Sequence, residues 1–123
     1  MELKTIDPAL ELMGEFAKLT HGTVAQINKM RESVIFKDST VPAKFKTLGA
    51  LLWAINAKCE PCIKFYVNKA VSHGTTEQEL GDFLAVASTM GGCVGEMWAI
   101  KAYKSYKDIL VGKVSADDPS CCV

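Results

Sequence analysis

The chain has 123 residues, and its 14 Lys plus Arg balance its 14 Asp plus Glu, so the formal net charge is zero. With 49% hydrophobic and 23% charged residues, it has the composition of one globular domain with one core. No basic excess points to nucleic acid and no acidic excess points to a solvating tail. Balanced charge does little to keep copies apart, which leaves self-association open.

From the N-terminus, Met1 to Ala9 mixes charge with Asp7-Pro8 and lacks the apolar stretch of a signal peptide. Asp7-Pro8 reads as a helix cap followed by proline at the first helical position. Leu10, Met13, Phe16 and Leu19 form a helical apolar stripe that stops near His21-Gly22. Thr23 is placed to cap a second helix carrying Val24, Ile27, Met30 and Val34. After the polar turn Lys37 to Thr40, Pro42 opens a third helix with Phe45, Leu48, Leu51, Leu52 and Ile55. Its apolar run, Leu48 to Ile55, is the longest in the chain and too short to span a bilayer, so no membrane partner and a cytoplasmic location are expected.

A fourth helix from about Glu60 carries Ile63, Phe65, Tyr66, Val67 and Val71 and ends at Gly74, a natural C′ residue. Thr75-Thr76 with Gln78 and Glu79 makes overlapping capping boxes for a fifth helix, which stops at Gly91-Gly92. A sixth runs from about Val94 to Leu110. No useful strand alternation or internal repeat is present. The expected fold is all-α: a compact bundle of about six helices in one domain over residues 1–113, with a disordered tail over 114–123.

The chemistry concentrates at Cys59-Glu60-Pro61-Cys62. At i and i+3 on a helix start, the two side chains share one face within disulfide reach. Unpaired N–H groups and the positive end of the helix dipole stabilise a thiolate there, and the thiolate is the nucleophile. Pro61 removes a donor that the first turn would leave orphaned, stiffening the pair without breaking the helix. Lys58 and Lys64 flank the pair, while Glu60 opposes them. In a reducing compartment such a pair is catalytic or metal-binding more often than a staple, so the five cysteines are not a disulfide framework. Half a zinc site and two small buried hydrophobes are the competing readings. His21, His73, Cys93, Cys121 and Cys122 supply no second Cys-x-x-Cys or paired histidines, so no metal is expected.

The stretch from Val41 through Cys59-Glu-Pro-Cys62 to Tyr66 resembles the core of the carboxymuconolactone decarboxylase family, in its alkylhydroperoxidase D-like branch. The likeness continues through Ala70 to Leu80 and through Met90-Gly91-Gly92 to Tyr103, about half the chain in all, so that residues 41–104 hold the core motif. It implies an all-α fold assembled as a homo-trimer or homo-hexamer. It also implies a thiol-dependent peroxidase or disulfide reductase that needs no bound cofactor, with a hydroperoxide substrate and a thiol electron donor as partners. In the peroxidase members the second cysteine, here Cys62, attacks the peroxide, and the first, here Cys59, closes the disulfide. Local physics alone nominates Cys59 equally well, because it lies nearer the helix end.

Those members carry a relay Glu-x11-Cys-x2-Cys-x3-His; here Thr47 stands at the Glu position and Tyr66 at the His position. Neither titrates near neutral pH. Tyr66 is placed to donate to a sulfur species or to serve as an interfacial aromatic. His73, eleven residues beyond Cys62, is roughly 16 Å away along the helix. Glu96 on the last helix is a further supporting candidate, against the reading of a solvated charge, and Cys93 reads as a small buried residue or a third thiol. Cys121-Cys122 reads either as an unstructured tail or as an in-built resolving pair. Two alternatives to the peroxidase stand: a carboxymuconolactone-type lyase, and a non-catalytic helical redox-sensing module.

Overall fold

The structure, a computed structural model, describes residues 6–112. Asp7 opens the first helical segment: its Oδ1 accepts the Ala9 N–H at 2.9 Å, and Pro8 follows in the first turn. That segment is a 3-10 helix, Pro8–Leu12, running into α1, Met13–Leu19. Then come α2, Thr23–Val34, α3, Ala43–Asn56, α4, Glu60–Ser72, and α5, Glu77–Leu110. No strand occurs among the described residues, as the sequence leads one to expect.

The helix boundaries follow from local chemistry. His21, at φ 57°, ends α1 as a left-handed C′ residue, with its N–H on Lys18 O and the Gly22 N–H on Ala17 O. Gly22, not Thr23, caps α2, and the Thr23 hydroxyl bonds Thr20 Oγ1 at 2.6 Å instead. Asp38 Oδ1 accepts the first N–H of α3, from Ala43, at 2.8 Å. At the start of α5 the predicted capping box forms at Thr76 and Glu79.

The sequence predicts two helices about Gly91-Gly92, and the chain does break there. Gly92 has φ 60° and ψ −144°, a backbone region essentially closed to residues with a Cβ. The two arms of α5 fold back on each other: Tyr103 Oη donates to Glu77 Oε1 at 3.1 Å, and Lys107 Nζ pairs with the same oxygen at 2.9 Å. A straight helix would separate residues 77 and 103 by roughly 39 Å. Gly95 lets the arms meet, since a Cβ there would collide with the Ala87 carbonyl. By length and composition α5 is the one described helix apolar enough to cross a bilayer, but its two ends lie side by side.

These arms, α3 and α4 enclose the core of Leu48, Leu51, Ile63, Val67, Leu80 and Ala102. Burying each large aliphatic contributes about 1.5–3 kcal/mol. A second cluster joins Phe65 to Ile6, Phe36 and Tyr66 beneath the α2–α3 connection. The apolar stripes of α1 and α2 are not covered: Leu19 is 77% exposed, and Phe16, Ile27, Met30 and Val34 are also exposed.

Candidate active site

The junction between α3 and α4 sets the dithiol in place. After Asn56 the chain closes α3 with a Schellman pattern, in which the Lys58 N–H reaches Ile55 O and the Cys59 N–H reaches Ala54 O. Lys58 supplies the left-handed residue, at φ 56°. One residue later Cys59 is the N-cap of α4, with Pro61 in the first turn and Cys62 completing it. The carbonyl of Cys59 accepts the Ile63 N–H at 2.9 Å, the first α4 ladder bond beyond the pair. Cys59 is thus held from both sides by backbone bonds, to the end of one helix and the start of the next.

Cys59 and Cys62 are bonded to each other, with Cα atoms 5.2 Å apart. Both are half-buried and line a cleft of about 570 Å³ between α2, α3 and α4. Its walls are mostly apolar: Val34, Ile35, Ala50 and Ala54, with Trp53 at the rim, 74% exposed. Two cations, Arg31 and Lys46, line it, and no carboxylate or imidazole does among the described residues. Lys46 Nζ bonds Ser39 Oγ at 3.0 Å.

Tyr66 lies one turn beyond Cys62, lines the same cleft, and packs against Phe65 and Phe36. Its phenol oxygen accepts the Arg31 Nε–H at 3.3 Å. Tyr66 therefore serves both as a packing aromatic and as a polar lining group. The other supporting candidates lie elsewhere. Thr47 is fully buried within α3, and its hydroxyl donates to Ala43 O at 2.8 Å. Glu96 is exposed on the second arm of α5 and does not line the cleft. His73 stacks on Phe36 at 5.9 Å at the far end of α4, and His21 is the left-handed residue after α1. Cys93, for which the sequence suggests a small buried residue or a third thiol, is an exposed free thiol beside the Gly92 break. Cys121-Cys122 and the tail over 114–123 lie outside the described residues. Among the described residues no three His, Cys, Asp or Glu gather as a metal cluster.

Arg31 lies outside the residues to which motif and likeness point. It is the only arginine in the chain and falls at i+4 from Ile27, within the apolar stripe of α2. A lone guanidinium on an apolar face is the signal that marks it.

A helical bundle presenting a Cys-x-x-Cys disulfide at a helix start, inside an apolar cleft, defines an all-α dithiol protein. This chain belongs to the carboxymuconolactone decarboxylase family, whose model matches residues 22–105. The crystal structure of an apo carboxymuconolactone decarboxylase family protein from Legionella pneumophila is similar. It has a TM-score of 0.75 and 25% identity, over 86% of this chain and 95% of that one. An uncharacterized protein of Cupriavidus necator is 36% identical over 74 residues. That match takes in 60% of this chain and 65% of the relative's length. The alkylhydroperoxidase D-like branch is consistent with both the family and the placement of the cysteine pair.

Proposed function

We propose that this protein is a thiol-dependent peroxidase and disulfide oxidoreductase working through Cys59 and Cys62. The observation that carries the reading is the bonded cysteine pair at the N-terminus of α4, half-buried yet open to a cleft large enough for a small organic molecule. In the reduced state one thiolate attacks the distal oxygen of R–OOH. The O–O bond breaks, the sulfur becomes S–OH, and the departing alkoxide takes a proton to leave as ROH. The other thiol then attacks that sulfur, expelling water and forming the Cys59–Cys62 disulfide. Two equivalents of a small or protein thiol reduce the disulfide and leave as their own disulfide. The cysteines carry both electrons, so no bound cofactor enters the cycle.

Cys62 is the attacking residue by likeness to the family's peroxidase members, and Cys59, held at the N-cap, resolves. The cleft lining lacks the carboxylate and imidazole that would move the proton, and a positioned base is typically worth about 10²–10⁴-fold. Turnover is accordingly slow for a peroxidase. The exposed apolar stripes of α1 and α2 support assembly into a trimer or hexamer. A reducing compartment such as the cytoplasm would supply the thiols.

Peroxide consumption with a thiol reductant, compared between wild type, Cys59→Ser and Cys62→Ser, tests this reading. Loss of turnover in both variants is expected. Equal rates in all three would sink it.

A further inference from the structure

We propose that the cleft recognises a hydroperoxide bearing a carboxylate, with Arg31 as the carboxylate receptor; this rests on the peroxidase reading above. Arg31 is fixed at one edge only, where Nε donates to Tyr66 Oη at 3.3 Å. Its Nη1 is buried and has no hydrogen-bond partner, and no acidic side chain lines the cleft among the described residues. A buried guanidinium nitrogen without an acceptor is costly, because it has left water and gained nothing in exchange. A carboxylate that draws the guanidinium toward the cleft would give Nη1 an acceptor and relieve that cost.

The geometry suits this ligand chemistry. With Nε held by Tyr66 and Nη1 buried, Nη2 is the guanidinium nitrogen left to meet a carboxylate first, and a small turn of the side chain would bring Nη1 beside it into the two-bond fork that matches a carboxylate. Lys46, the second cation of the cleft, adds positive potential, and Trp53 and the aliphatic walls suit a hydrocarbon body between the two ends of the substrate. The Tyr66–Arg31 bond joins the receptor to the helix that carries Cys62, so a carboxylate seated on Arg31 sets the substrate in the cleft that the sulfurs line. Hydrogen peroxide and neutral hydroperoxides would forgo this contact.

The test compares an aliphatic acid hydroperoxide with its methyl ester. For wild type the acid should be preferred in kcat/KM by at least about tenfold. In Arg31→Met that acid-over-ester ratio should collapse toward one, and Arg31→Lys, which keeps charge but loses the fork, should recover part of it. If Arg31 only supports the fold, both substrates fall together and the ratio holds, which overturns the proposal. A second arm needs no turnover. Hexanoate and methyl hexanoate are titrated against the Cys59→Ser/Cys62→Ser double variant, following tryptophan fluorescence. Tighter binding of hexanoate, lost in Arg31→Met, supports the receptor even if no peroxidase activity is found. Equal binding of acid and ester overturns it while leaving the peroxidase reading standing.

Discussion

In the proposed cycle, Tyr66 is, after the two cysteines, the side chain whose replacement should change the rate most. Its phenol accepts from Arg31. Tyr66→His puts an imidazole one turn beyond Cys62. Peroxide reduction should rise by at least about tenfold, with an inflection near pH 6.5 or somewhat below it beside the Arg31 cation. A pH–rate profile of the variant checks this; an unchanged rate would mean that proton transfer does not limit turnover. Lys58 raises a different question, that of backbone shape. At φ 56° it bears a Cβ in the left-handed region, immediately before Cys59. Lys58→Gly should cost less than about 0.5 kcal/mol by urea unfolding, while Lys58→Ile should cost about 1–2 kcal/mol. The isoleucine variant should also disturb closure of the disulfide, because Lys58 and Cys59 complete the same Schellman pattern.

Among the elements, the folded-back α5 carries the most testable packing. Gly95→Ala drives a Cβ into the Ala87 carbonyl and should force the two arms apart, at about 2 kcal/mol or more. Gly91→Ala, where a Cβ meets nothing within 4 Å, should be near neutral. Thermal unfolding of the two variants side by side checks the pair. Where the arms' far ends meet, hydrogen bonds from Lys107 and then Tyr103 hold the Glu77 carboxyl below its ordinary value of 4.5. A depressed carboxyl contributes stability that is present above that ordinary value and lost as pH falls through the lowered one. The urea midpoint should therefore drop on acidification below about pH 4.5, and Lys107→Met should flatten that drop.

Most of these elements are legible from the residues. The Asp7-Pro8 start, Gly74 as a C′ residue, the Thr76–Glu79 box and the helix start at Glu60 all appear where local rules put them. The cap of α2 falls one residue before the Thr23 that the sequence suggests, because Gly22 adopts φ 86° and begins the helix itself. The dithiol was visible as a spacing. The cleft was not, because it is made by α2, α3 and α4 together, and only tertiary contact brings Arg31 onto Tyr66. Spacing and likeness point to Thr47 and Glu96, and neither side chain lines the cleft.

For the whole molecule, the proposed trimer or hexamer turns on the exposed apolar stripes of α1 and α2. Phe16, Leu19, Met30 and Val34, with Trp53 on α3, stand exposed while the core closes without them. The chain should therefore elute as an assembly several times the mass of one subunit, and Leu19→Glu with Phe16→Glu should reduce its size. A monomeric wild type in light scattering would show that these stripes serve another purpose. The central claim, that Cys59 and Cys62 exchange two electrons with a peroxide, is tested most directly in a single turnover. Fully reduced protein is mixed with one equivalent of hydroperoxide, without reductant, and analysed by intact mass and thiol titration. The prediction is one alcohol formed per subunit, with a protein lighter by two hydrogens and the loss of two thiols mapped to Cys59 and Cys62. Protein that keeps both thiols, or peroxide consumed at the same rate by the Cys59→Ser/Cys62→Ser variant, would contradict it.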